Sequence, residues 1–482
     1  MDSPGKNSPF PYNGGVRALL ISTYDLGRQP FGLASPAAWL RAAGVEVECA
    51  DTSRAPLEDD QIAAATFVAF YLPMHTATRL AAPLIDRTRR VNPSARLCAY
   101  GLYAPLNAQW LVERGITDVL GPEAEADLVD LVKSQIPNPN AQSLEPNAQS
   151  LAPRAQSLPR LRFITPDRAG LPMLERYASL RMADGSRRIM GSTDATRGCK
   201  HFCRHCPIVP VYHGQFRVVP LDVVMGDIRA QVAAGAQHIS FGDPDFLNGP
   251  AHARHLVERV HVEFPDISYD VTIKIEHLLT HADMIPVLRD SGCLFITSAV
   301  EAIDDGVLEH LRKGHTRGDF VSVAASCRDA GVTLVPTFVP FTPWTTLAGY
   351  VALLELLEEL DLVEHVAPIQ LAIRLLVTSG SPLLDLPDIR EVVAPFDSGS
   401  LTWPWRHRDA RVDALQTAVM RLVGGASATP RAEVFGAISA LAREHAGLHP
   451  GLLPGRGRAT RRGPVPHASE PWYCCAEPIE TL

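Results

Sequence analysis

The 482-residue chain has no run of about 18 uncharged apolar residues, so nothing in it reads as a membrane-crossing helix. Its first residues, Met-Asp-Ser-Pro-Gly-Lys-Asn-Ser-Pro, lack the apolar core of a signal peptide, and the cytoplasm is the expected compartment. Positive charge is also short: the formal net charge is −8, which argues against a dedicated nucleic-acid binder, because a phosphate backbone rewards clustered cations. Arg456, Arg458, Arg461 and Arg462 are a local exception and read as a solvated stretch. Nine cysteines in so long a chain do not make a disulfide scaffold. With 46% hydrophobic and 20% charged residues the composition is that of a globular protein, and the length calls for two to three domains.

Seven of the cysteines fall into two classes by their surroundings. Cys49, Cys98, Cys293 and Cys327 lie in apolar strand-like or helical stretches and are expected in the core. Cys199, Cys203 and Cys206 instead stand at Cys-x3-Cys-x2-Cys spacing within one short loop. Three thiolates this close can hold three irons of a [4Fe-4S] cluster and leave the fourth iron open to a substrate or cofactor. A structural zinc site is the alternative, with His201, His205 or His213 completing a Cys3His tetrahedron.

Residues 1–15 are rich in Pro, Gly and Asn and are expected to be disordered. Over 16–135 short apolar runs alternate with helical patterns, the signature of a doubly wound parallel sheet. Strands are expected at Val16 to Ser22, Val45 to Ala50, Phe67 to Leu72, Ala95 to Tyr100 and Thr117 to Leu120. Helices are expected at Ser35 to Ala43, Thr76 to Arg90 and Ala108 to Arg114. Residues 136–160 hold three copies of a Pro-containing seven-residue unit and read as a linker. Alternation resumes over 161–395, with strands expected at Arg188 to Ser192, His238 to Phe241, Ser268 to Lys274, Leu294 to Ser298, Thr333 to Phe338 and Gln370 to Leu376. Six such units make a partial (β/α)6 barrel with its reactive site at the carboxyl ends of the strands. A helical region (396–453) and a flexible tail (454–482) complete the chain.

The cysteine loop resembles the cluster motif of the radical S-adenosylmethionine (SAM) enzymes, Cys-x3-Cys-x-aromatic-Cys, with His205 in the place of the aromatic. Ile239-Ser-Phe-Gly-Asp-Pro-Asp-Phe246, Thr272-Ile-Lys-Ile-Glu276, Ala299-Val-Glu301 and Val307-Leu-Glu-His-Leu-Arg-Lys-Gly-His-Thr316 follow in the order of that family's barrel. The resemblance implies that the amino and carboxylate groups of SAM chelate the open iron. An electron passed into the sulfonium would then release a 5′-deoxyadenosyl radical. Gly242 and Asp243 would face the methionine ammonium, His205 the adenine, and Glu301 the ribose or amino group; Lys274, Glu276 and Arg374 are pocket candidates. One departure is Pro340-Phe-Thr-Pro-Trp-Thr-Thr346, which replaces the family's Gly-x-Pro-Gly-x-Thr turn. For Asp243, Asp245 and Glu301 the plain alternative is a cap or turn role.

The N-terminal domain resembles the cobalamin-binding domain that precedes many such barrels, on Leu26 to Leu40, Ala43 to Asp51, Ala99 to Tyr103 and Gly121 to Glu125. The Asp-x-His-x-x-Gly signature of other cobalamin proteins is missing, so cobalamin is a candidate cofactor beside a fold that has lost it. The ending Cys474-Cys475-Ala-Glu-Pro478 resembles the tail of a radical SAM group in which selenocysteine sometimes stands at the second cysteine. A soft nucleophile or redox pair is implied there, and about 20 extended residues after Leu453 span roughly 60 Å, enough to reach the barrel mouth.

The expected function is SAM-dependent radical chemistry on a small-molecule or peptide substrate, fed by an electron donor such as flavodoxin or ferredoxin, with methyl transfer if a corrinoid is bound. Carbon–heteroatom bond formation aided by Cys474 and Cys475, or a metal-binding electron relay without catalysis, are the alternatives.

Overall fold

Apolar residues on successive positions of short strands, rather than on alternate ones, mark a sheet covered on both faces, and that is how the N-terminal unit is built. The computed structural model describes residues 16–135, 161–426, 429–448 and 464–470. Expectations for 1–15, for the linker 136–160 and for Cys474 and Cys475 fall outside them. The described chain divides into two units, one within Met1–Tyr24 and Pro30–Leu171, the other within Asp25–Gln29 and Pro172–Leu482.

In the first unit β1 (Arg17–Ser22), β2 (Glu46–Asp51), β3 (Phe67–Tyr71), β4 (Arg96–Tyr100) and β5 (Asp118–Val119) form a parallel sheet in the order β2-β1-β3-β4-β5. Each lies within two residues of its expected bounds. Ala18, Leu20, Phe67, Ala69, Cys98 and Tyr100 share one core with Leu33, Ala37 and Leu40 of the helix Phe31–Ala42 and Leu128 and Val132 of the helix Glu125–Lys133. The intervening Leu19, Ile21, Val68 and Phe70 are equally buried, so both faces are covered. Strand order reverses between β1 and β3, the place where doubly wound sheets open a crevice at their carboxyl ends. Beyond β4, Gly101 turns with φ +111°, and a β-carbon there would stand 2.8 Å from the Leu72 carbonyl oxygen.

The second unit holds a seven-stranded sheet. β6 (Ser179–Arg181), β7 (Arg187–Thr193), β10 (His238–Phe241), β11 (Ser268–Thr272), β12 (Cys293–Glu301), β13 (Thr333–Phe338) and β14 (His467–Ala468) run in the order β13-β12-β11-β10-β7-β6-β14. The five from β7 to β13 pair in parallel, and β10, β11, β12 and β13 are each followed by a helix; β6 is antiparallel to β7, and β14 to β6. This is the curled half-barrel expected. Local signals fix the helices: Thr316 and Asp319 form a reciprocal capping box at the helix Arg317–Asp329, whose Phe320, Val323, Ala324 and Cys327 recur at helical spacing and are buried. Cys49, Cys98, Cys293 and Cys327 are all buried, as their apolar neighbourhoods foretold.

The expected sixth strand, Gln370 to Leu376, is corrected. Residues Pro368–Leu371 form a 3-10 turn, and pairing shrinks to one parallel bridge, Phe341 with Arg374. The facing segment carries Pro340 and Pro343, which offer no N–H to a ladder. Helices Ala410–Gly424 and Arg431–His445 account for the helical region. Within the expected tail, β14 is an edge strand; a strand of two residues pairing only with one of three leaves little trace in a sequence.

Candidate active site

The cysteine loop is closed by a small antiparallel ribbon. β8 (Thr196–Gly198) follows β7 almost directly and pairs with β9 (Phe216–Val218), so residues 199–215 form a loop pinched at its base. Gly198 has φ +78°, and a β-carbon on it would lie 2.4 Å from the Tyr212 ring and 2.6 Å from the Gln215 carbonyl oxygen. No side chain fits there. Inside the loop the Cys199 N–H donates to Gln215, Arg204 to Leu311 and Cys206 to Cys203. Cys203 is buried, while Cys199 and Cys206 are half-buried.

Burial pushes the Cys199 thiol up to about 11, so an adjacent cation is what would hold it as a thiolate. His201 and His205 are turned elsewhere, to Asp245 and Glu301.

Asp243 ties the loop to the barrel. Its carboxylate accepts from the Ala195 N–H at 2.9 Å and from Thr196 Oγ1 at 2.5 Å, one residue either side of the turn into β8. Burial, with Asp194 nearby, raises its carboxyl to about 7. Both oxygens are thus engaged with the protein, where the sequence reading had this side chain facing a ligand. Gly242 donates to the Thr193 carbonyl, and a β-carbon on it would meet Asp194 Oδ1 at 2.4 Å. Arg28 reaches the same strand end, donating to Ser240 Oγ at 3.0 Å; Ser240 in turn donates to Asp270, which also meets His238 Nε2 at 2.9 Å.

At the end of β12 the register with β13 shifts between Ala299 and Glu301, and Glu301 takes φ +69°. The bulge re-aims its side chain inward. Glu301 Oε1 lies 3.1 Å from His205 Nε2 and accepts from Lys313 Nζ at 3.3 Å. Burial alone would raise the Glu301 carboxyl, but Lys313 and His205 outweigh it and hold it at about 2. Burial holds the His205 imidazole down, and with Lys313 and Lys274 nearby it holds His315 at about 4.

Lys274 caps the short helix Ile275–Thr280 and donates to Glu276 Oε2 at 3.2 Å. Gly314, beside Lys313, turns with φ +75°, and a β-carbon on it would meet Glu276 Oε2 at 2.7 Å. Lys274, Glu276, Glu301 and His205 therefore gather around the cysteine loop. Arg374 does not join them: its guanidinium stacks 3.5 Å over the Trp405 ring, donates to the Trp405 carbonyl and pairs with Asp413 at 2.7 Å. Sequence reasoning gave no role to Lys313, His277 or Arg28; only the Lys-Gly dipeptide at 313–314 carried a signal, a glycine that a left-handed turn requires.

The sequence model of the Radical SAM superfamily matches residues 194–357. A tRNA-2-methylthio-N(6)-dimethylallyladenosine synthase of Fusobacterium nucleatum is 28% identical over 191 residues, 36% of this chain and 41% of that one. The ribosomal protein uS12 methylthiotransferase RimO of Parabacteroides distasonis is 28% identical over 135 residues, 25% of this chain and 30% of its own. The match thus spans less than half the length of these curated relatives. In fold, the chain is similar to the cobalamin-dependent S-adenosylmethionine radical enzyme OxsB (TM-score 0.68, 14% identity, 90% of this chain and 71% of that one). It is also similar to the radical SAM methyltransferase TsrM of Kitasatospora setae (TM-score 0.55, 17% identity, 72% and 70%). The three-cysteine loop at the head of the curled parallel sheet thus lies within the segment, residues 194–357, that matches the Radical SAM superfamily.

Proposed function

We propose that the chain binds a [4Fe-4S] cluster through Cys199, Cys203 and Cys206 and uses it to cleave SAM reductively, acting on a small-molecule or peptide substrate. The observation that carries this is the loop itself: three cysteines between β8 and β9, held at the carboxyl end of β7 by Asp243 and the β8–β9 ribbon. When bound, the reduced cluster supplies the electron that breaks a carbon–sulfur bond of SAM, giving methionine and a 5′-deoxyadenosyl radical.

The remaining work belongs to the chain. Asp243 fixes the strand-to-loop turn from beneath, so its role in SAM binding is exerted through the backbone of 242–243. Lys313 and Lys274 bring positive charge toward the thiolates, and Glu301 orients His205 at the position where the family places an adenine contact. Burial of these groups excludes water from the site. A flavodoxin or ferredoxin in the cytoplasm would supply the electron.

The doubly wound unit, with its β1/β3 crevice and tight Gly101 turn, supports cobalamin as a second cofactor and methyl transfer as one outcome. Carbon–heteroatom bond formation is the second reading, favoured by β14. This strand points the same way as β7, and residues 469–470 continue from it: Ser469 donates to the Ser179 carbonyl, and Glu470 packs at Gly27, next to Arg28. Cys474 follows Glu470 by four residues, at most about 14 Å of chain.

The deciding experiment is anaerobic reconstitution with iron and sulfide, then dithionite and SAM, with 5′-deoxyadenosine sought by mass spectrometry and Cys203→Ala as control. Deoxyadenosine from the wild type alone supports the proposal. Its absence, with zinc in the purified protein, overturns it in favour of a structural metal site.

A further inference from the structure

The two oxygens of Asp245 are differently employed. Oδ1 accepts from the Leu247 N–H at 3.2 Å, whereas Oδ2 is fully buried with no aligned hydrogen-bond donor. Facing Oδ2 are His277 Nδ1 at 2.7 Å and His201 Nε2 at 3.2 Å. Neither nitrogen has an aligned hydrogen-bond partner either. All three atoms lie within 4.8 Å of one another, and among the described residues no other group of His, Cys, Asp and Glu gathers three ligand atoms so closely.

Three buried polar atoms that face one another with no aligned hydrogen between them call for a shared partner. A cation is the partner that suits two imidazole nitrogens and a carboxylate oxygen together. Atoms bound at about 2.1 Å to one ion, at right angles, stand about 3 Å apart, and the two separations from Oδ2 bracket that value. The surroundings fit as well. The far side of the His201 ring presents Nδ1 to Glu276 Oε2 at 3.5 Å, and Glu276 is itself held by Lys274. A carboxylate behind a ligating imidazole is the usual device that fixes its tautomer.

The geometry points to a second metal site in this barrel, a single divalent first-row transition ion held by His201 Nε2, Asp245 Oδ2 and His277 Nδ1. Two imidazoles and one carboxylate with the remaining positions open is the donor set of mononuclear ferrous sites. The site shares the cysteine loop, since His201 lies between Cys199 and Cys203, but it needs no SAM cleavage to exist. Its test is therefore separate from that of the proposed function.

The full-length protein, reconstituted anaerobically with iron-57 and sulfide and desalted, is examined by Mössbauer spectroscopy together with total iron. The wild type carries one mononuclear high-spin ferrous ion per chain beyond the cluster iron. Asp245→Asn and His277→Gln reduce that component at least tenfold and keep the cluster signal. Because a variant could also disturb the loop, Co2+ is titrated in parallel into cluster-free protein whose fold is checked by circular dichroism. One equivalent binds with d–d absorption, and affinity falls tenfold or more in each variant. A wild type that holds no metal beyond the cluster iron and takes up no Co2+ overturns the inference, as does full retention of the extra ion by both variants.

Discussion

Lys313 Nζ and His205 Nε2 converge on one oxygen of Glu301, from 3.3 and 3.1 Å, with all three residues buried. A carboxylate taken out of water is tolerable only while both partners remain, so the three side chains function as one unit. Lys313→Ala leaves the Glu301 charge uncompensated and is expected to cost about 3–5 kcal/mol. Lys313→Met combined with Glu301→Gln should recover most of that loss in chemical denaturation. A double variant no more stable than Lys313→Ala would show that the lysine acts elsewhere.

Gly198→Ala tests the pinch at the base of the cysteine loop. Its β-carbon would overlap Tyr212 and the Gln215 carbonyl, while the φ of +78° is itself strained for alanine. Iron retained after reconstitution should fall below half of the wild-type value with the far-ultraviolet circular dichroism preserved. Full iron loading would mean that the ribbon opens without consequence.

The docking of β14 should depend on pH. Burial, with Arg431 and Arg181 also near, holds the His467 imidazole below its ordinary range. The folded strand thus resists a proton that the undocked chain accepts at about 6.5. Docking is complete above that value and weakens as pH falls through it. Hydrogen exchange at the Ser469 amide, corrected for intrinsic rate, should speed up between pH 7 and pH 5.5 in the wild type and change little in His467→Gln. The same acceleration in both proteins would acquit the histidine.

Cys475→Ser is expected to leave deoxyadenosine formation within about twofold of wild type and to abolish the substrate-derived product. Serine keeps the size of cysteine but not its soft, ionisable sulfur. Unchanged turnover with substrate would remove the tail from the chemistry.

Legibility in the sequence followed the range of the interactions involved. β10 and β13 are bounded by turn residues on both sides, and their expected limits, His238 to Phe241 and Thr333 to Phe338, coincide with the observed strands. The Cys-x3-Cys-x2-Cys spacing is local, so the loop could be read directly. Gln370 to Leu376 has the apolar pattern of a strand, but its fate depended on prolines some 30 residues earlier. Arg374 looked like a pocket residue because it stands at a strand-like end; its partners Trp405 and Asp413 come from the following region, and no local pattern announces them. Glu301 was visible while Lys313, twelve residues on, was not assigned to it, since only the bulge at Ala299 to Glu301 brings them together.

The β8–β9 ribbon and the hydrogen bonds from Cys199, Arg204 and Cys206 are made entirely of protein atoms. A change that unpairs the ribbon anywhere along its three rungs would therefore reach all three cysteines at once, although none of them lies in either strand.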